Sequence, residues 1–292
     1  MNIKHLAIGA ALAAFTIAPS FADQAIEVRD RFSDMIVGNG PDIVFIPGLS
    51  SSRDTWKAEA ARLKDHYRVH LIQVAGFAGE SPRANASGPM LAPTAEAIDA
   101  YLVEKHLTPA TIIGHSLGGT MVLYLAEKHP GDIKKGMLVD SLPFYSTLMM
   151  GPNATVAQAQ PIADGIRADP SGVMSGPRYD AIMKSMATSD ADRATIIAWG
   201  KASTPATVAN AIADDMTLDL RPDLSKITAP LTLVYPDYVA MGAPPGSTGA
   251  MYRGAYAAAP GMHFVEAKNS LHFVMLDQPA TMDAAIDAFL AQ

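Results

Sequence analysis

The stretch 111-TIIGHSLGGTMVLYLAEKHP-130 sets a serine, Ser116, between glycines where an apolar run gives way to an amphipathic one. Thr111 to Gly114 read as the end of a buried strand. Beyond the serine, Leu117, Met121, Val122, Tyr124 and Leu125 recur at helical spacing, until Pro130 closes the helix. The pattern is Gly114-His115-Ser116-Leu117-Gly118, with Gly119 following. A serine on so sharp a strand-to-helix turn takes strained backbone angles, and the residues two before and two after must be small. The turn pushes the hydroxyl out over the carboxyl end of the sheet, and the first N–H groups of the helix face any anion that develops there. We read Ser116 as a nucleophile.

Outward from this turn the chain alternates between buried strands and helices. "AIEVRDRF" and "SDMIVG" predict a hairpin, and "DIVFIPG" a strand buried on both faces. A helix is expected from Trp56 to Leu63, a strand in "YRVHLIQVAG", a loop in "GFAGESPRANASGPM" and a helix in "PTAEAIDAYLVEKHL". After the Ser116 helix comes the strand "IKKGMLVD". From about residue 142 to 222 the rhythm breaks: helical pieces are divided by Pro and Gly, and no strand is evident. The pattern then resumes with "APLTLVYP", a helix near Met251 to Ala258, the strand "MHFVEA" and a last helix "QPATMDAAIDAFLAQ". Alternation of this kind argues a parallel α/β sheet. We divide the chain into a signal peptide (1–22), a core (23–141), a helical insertion (142–222) and the rest of the core (223–292).

The signal-peptide expectation rests on Lys4, the apolar run from Leu6 to Ile17, Pro19 and the small-x-small site ending at Ala22. That run is too short for a permanent anchor, so we expect cleavage after Ala22, export to the periplasm or medium, and no stable membrane anchor. The 292 residues carry 49% hydrophobic and 17% charged residues, enough apolar material for a large core. The formal charge is -7 and no Lys/Arg cluster occurs, which excludes a nucleic-acid footprint. With no cysteine, a thiol nucleophile and a thiolate metal site are excluded. No H-E-x-x-H spacing or phosphate loop is present, and we expect neither metal nor cofactor.

With "FIPG", "GHSLGG", the insertion and "NSLHFVMLDQP" in this order, the mature chain resembles the α/β-hydrolase superfamily, in its serine-hydrolase branch with a helical cap. The resemblance implies a mostly parallel sheet flanked by helices, and closest in look are capped esterases. A serine hydroxyl needs a base. His263 opens the last strand, at the wrong end of a parallel sheet, whereas His272 follows that strand in "KNSLHF", where the family also carries its base. A third residue should orient the imidazole. Asp237, after "LTLVYP", is our first choice, although it stands nearer the strand than the family's usual acid; Asp140, ending "GMLVD", is the alternative. The oxyanion donors expected are the backbone N–H groups of Leu117 and Leu49.

Phe144 and Tyr145, directly after the sheet, are candidate pocket walls, with His115 beside the nucleophile. Arg53 could hold a substrate carboxylate, but we expect an exposed arginine, and we assign Trp56 to the core. The six insertion methionines, Met149, Met150, Met174, Met183, Met186 and Met216, are expected mostly to pack the insertion onto the core. The expected partner is a small or medium apolar carboxylic ester. Lactone, amide or carbon–carbon cleavage, acyl transfer, and a non-catalytic ligand cup are the alternatives.

Overall fold

The computed structural model describes residues 25–292; the expected signal peptide lies outside the described residues. Strand β1 (Ile26–Val28) and β2 (Phe32–Val37) form the expected antiparallel ribbon, and β2 continues antiparallel onto β4 (Arg68–Val74). On the other side of β4 runs β3 (Asp42–Ile46), parallel to it, where Ile43 to Ile46 are fully buried, as the unbroken apolar run requires. Helix α1 (Lys57–Leu63) follows a short turn of 3-10 helix at Arg53–Trp56. Trp56 is in the core and donates its indole N–H to the Ile46 carbonyl. Helix α2 (Leu91–Glu104) begins before Pro93, leaving the proline in its first turn, where no N–H is needed.

The rest of the sheet is parallel. It comprises β5 (Ala110–His115), β6 (Ile133–Val139), β7 (Leu231–Pro236) and β8 (His263–Ala267), in the overall order β1-β2-β4-β3-β5-β6-β7-β8. Helix α3 (Leu117–Lys128) connects β5 to β6 and packs on both. Between β6 and β7 lie helices α4 (Thr147–Met150), α5 (Val156–Ala168), α6 (Gly176–Lys184), α7 (Asp190–Ala202) and α8 (Pro205–Thr217), with no strand among the described residues. Ala163 of α5 meets Ala213 of α8, small residues that let the two helices approach closely, with Met216 packed beside them. Helix α9 (Ser247–Ala255) starts earlier than expected, and α10 (Val274–Asp277) and α11 (Pro279–Ala291) end the chain. No described helix is long and apolar enough to cross a membrane.

This topology gathers one edge. Ser116, Asp140, Asp237 and His272 follow β5, β6, β7 and β8 respectively, at the carboxyl ends of neighbouring parallel strands, where open α/β sheets form their crevices.

Candidate active site

Ser116 takes φ 52° and ψ -119°, a conformation non-glycine residues rarely adopt. The glycine spacing has a steric cause. A Cβ on Gly114 would run into the Gly118 carbonyl, and one on Gly118 into the Ile46 carbonyl. The turn is fixed from both sides, with Ser116 N–H donating to the Val139 carbonyl at 2.8 Å and Thr120 N–H to the Ser116 carbonyl at 2.9 Å. The loop after β3 packs directly against it: a Cβ on Gly48 would stand 3.2 Å from Ser116 Cβ. Leu49, Ser116 and Leu117 line the wall of one cavity.

His272 is joined to an aspartate, and it is the alternative one. His272 Nδ1 lies 2.6 Å from Asp140 Oδ2. The same Oδ2 accepts the Tyr238 hydroxyl at 2.6 Å, and Oδ1 accepts the Tyr252 hydroxyl. Asp140 is 6% exposed, so its carboxylate is held among three donors away from water. Burial and the facing carboxylate hold both tyrosine hydroxyls well above their ordinary pKa, which keeps them protonated as donors.

Asp237, our first choice, is spent elsewhere. Its Oδ1 accepts the Val239 N–H at 3.2 Å, its Oδ2 accepts the Asn269 N–H at 2.9 Å, and its own N–H reaches the Ala267 carbonyl. It staples the loop after β7 to the loop after β8 and has no hydrogen bond to His272. Strand register gives the reason. His115 is opposite Val139, and Val139 opposite Val234, so Ser116, Asp140 and Tyr235 share one level of the sheet. Asp237 is two residues beyond that level, about 7 Å farther along the strand direction.

His272 is held from behind. His115, fully buried, donates Nε2–H to the His272 carbonyl at 3.0 Å and stacks on Phe273 with centroids 4.5 Å apart. Burial, with His272 nearby, pushes the His115 imidazole well below its ordinary pKa, so it stays neutral. The insertion also grips this loop: His272 N–H donates to the Ser185 carbonyl and Phe273 N–H to that of Met186.

Two adjoining cavities, of about 710 Å³ and 270 Å³, open on this arrangement, and both include Ser116, His272, Tyr145 and Asp215 in their walls. Met174, Met183 and Met186 line the smaller one, so half of the insertion methionines named above meet the cavity and the rest do not. Phe144 does not line either cavity; it packs with Ala154 and Ala159 and carries the Arg221 guanidinium on its ring. Arg53 is likewise corrected. It is buried, and its guanidinium donates to Ser33 Oγ and the Leu71 carbonyl, so it is neither exposed nor a substrate ligand. The sequence reading missed Tyr238, Tyr252 and Asp215. Tyr238 adjoins an acid already under scrutiny, but nothing marks Tyr252 on α9 or Asp215 on α8. One group among the described residues could hold a cation, Asp99, His129 and Asp132, and it lies at the far end of α3 from Ser116.

The Alpha/beta hydrolase family matches residues 43–285, spanning every element of this site. The chain belongs to that family. The chain is 34% identical over 108 residues to a pimeloyl-[acyl-carrier protein] methyl ester esterase of Aeromonas hydrophila subsp. hydrophila, 37% of this chain and 41% of that one. The corresponding esterase of Nitrosomonas europaea matches at 24% over 206 residues, 68% of this chain and 77% of the other. The chain thus spans about two fifths of the first of these curated relatives. Among solved structures, the enol-lactonase of Burkholderia xenovorans LB400 superposes with TM-score 0.72 at 19% identity, over 89% of this chain and 96% of that one. A thermophilic esterase of Thermogutta terrifontis gives 0.71 at 20%, over 89% and 93%. At such identities these structures speak for the fold.

Proposed function

We propose that the chain is an exported serine hydrolase that cleaves a small or medium apolar carboxylic ester through an acyl-enzyme. The observation that carries this reading is the His272–Asp140 pair on the wall of the cavity into which the strained Ser116 turn opens. Ser116 Oγ attacks the ester carbonyl while His272 Nε2 takes its proton; Asp140 holds Nδ1–H and stabilises the imidazolium. The Leu49 and Leu117 N–H groups receive the oxyanion. Collapse of the tetrahedral intermediate breaks the carbonyl–oxygen bond, and His272 returns the proton to the departing alcohol. Water then repeats the sequence and frees Ser116 and a carboxylic acid. The helices between β6 and β7 act as a cap, supplying the methionine-rich wall. The esterase names among its relatives support the reaction class. Export rests on the sequence of residues 1–22, and N-terminal sequencing of the secreted protein should begin at Asp23.

The deciding experiment is intact mass after treatment with a fluorophosphonate probe. The mature protein should gain one adduct and Ser116→Ala none. No adduct on either, or an equal adduct on both, would sink the activated serine.

A further inference from the structure

The mechanism leaves one acid on the cavity wall unused. Asp215, on α8, reaches the wall of both cavities, and its Oδ1 is out of solvent with no hydrogen-bond partner. Its neighbour Asp214 is fully engaged, by Arg167 and by the Met90 and Leu91 N–H groups. The Asp215 carboxyl makes no hydrogen bond among the described residues: the Thr120 hydroxyl is near it but pairs with Ser141 Oγ at 3.3 Å, and Tyr145 and Tyr256 stand close by. Thr120 lies one helical turn from Ser116, since its N–H bonds the Ser116 carbonyl. Among the described residues, no lysine or arginine lines either cavity.

A lone buried carboxyl oxygen costs stability, and such groups persist where something else satisfies them. We propose that Asp215 is a specificity residue: it receives a neutral hydrogen-bonding group, a hydroxyl or amide N–H, carried on the substrate chain a few bonds from the reacting carbonyl. Burial pushes this carboxyl up to about 7, so below that pH it is uncharged and can both donate and accept. An ammonium on the substrate would need the ionised form, and a substrate carboxylate would meet two acids and no cation. The class is therefore a neutral ester with a hydroxyl or amide on its acyl chain. This rests on the hydrolase reading above.

The test compares p-nitrophenyl hexanoate with a series of p-nitrophenyl hydroxyhexanoates, the hydroxyl at successive carbons, and with the p-nitrophenyl monoester of adipic acid. Wild type, Asp215→Asn and Asp215→Leu are measured at mildly acidic pH. At one or two hydroxyl positions Asp215→Leu should lose about tenfold in kcat/KM relative to plain hexanoate, which serves as the internal control for folding. Asp215→Asn, still a donor and acceptor, should recover most of that selectivity, and the adipate monoester should be the poorest substrate of wild type. If no hydroxylated ester changes by more than about twofold relative to hexanoate in Asp215→Leu, the assignment is overturned. Failure of wild type to hydrolyse any ester would strike the hydrolase reading itself, which the fluorophosphonate adduct judges separately.

Discussion

β6 and β7 lie side by side, each is followed by an aspartate, and the two acids have different tasks. Asp140 accepts His272, Tyr238 and Tyr252 through side chains drawn from three loops or helices. Asp237 accepts two backbone N–H groups, of Val239 and Asn269, and serves the loops that carry Tyr238 and His272. Residue type is the same and burial is nearly the same, 6% and 8%. What separates them is position along the sheet: one acid is level with Ser116 and the other has overshot it. An acid at a strand end is thus a candidate, and register chooses among candidates.

Exchanging each acid for its amide should break the comparison most sharply. Asp140→Asn leaves His272 without a carboxylate and should lower kcat by about 10³–10⁴. Asp237→Asn should keep turnover within about fivefold but lower stability by about 1–2 kcal/mol, because an amide accepts only one of the two N–H groups well. Ester turnover beside urea unfolding measures both, and a larger kcat loss in Asp237→Asn would reverse the assignment.

The tyrosines offer a smaller perturbation. Tyr252→Phe removes a donor from a buried carboxylate while keeping the ring that packs on Tyr235. We expect kcat to fall about three- to tenfold with KM little changed. An unchanged kcat would mean that the hydroxyl only fills space.

Asp215 extends the contrast to an acid with no strong partner, and its effect should be read through stability. The folded chain holds its proton up to about pH 7. The unfolded chain releases it near the ordinary carboxylate value, about 4. Between those values the unfolded state binds fewer protons, so this residue's contribution to stability is fully present below about pH 4 and is lost as pH rises toward 7. Asp215→Asn should accordingly gain on wild type, by on the order of 2 kcal/mol, in urea unfolding at about pH 8 compared with about pH 4.5. A difference that does not change with pH would show that the carboxyl ionises freely.

Ser116 and His272 were legible because both follow from local rules. A glycine–serine spacing demands its own turn geometry, and the only histidine after the last strand has one place to go. The strands were legible too, since burial on both faces writes an apolar run into β3 and mostly apolar ones, broken by Thr111 and Thr232, into β5 and β7. Arg53 and Phe144 misled because exposure depends on what packs over a residue, here Ser33 and the Leu71 carbonyl in one case, Ala154 and Ala159 in the other.

Local residue patterns set the sheet of alternating strands and helices, the Gly-x-Ser-x-Gly turn and the family. It took packing in three dimensions to bring Asp140 to His272, to clamp it with Tyr238 and Tyr252, and to put Asp215 on the cavity wall. The first group depends on contacts within one element or across one turn. The second depends on how far each strand runs past its neighbour and where α8 and α9 come to rest, and those quantities are set by packing between residues as much as 132 positions apart.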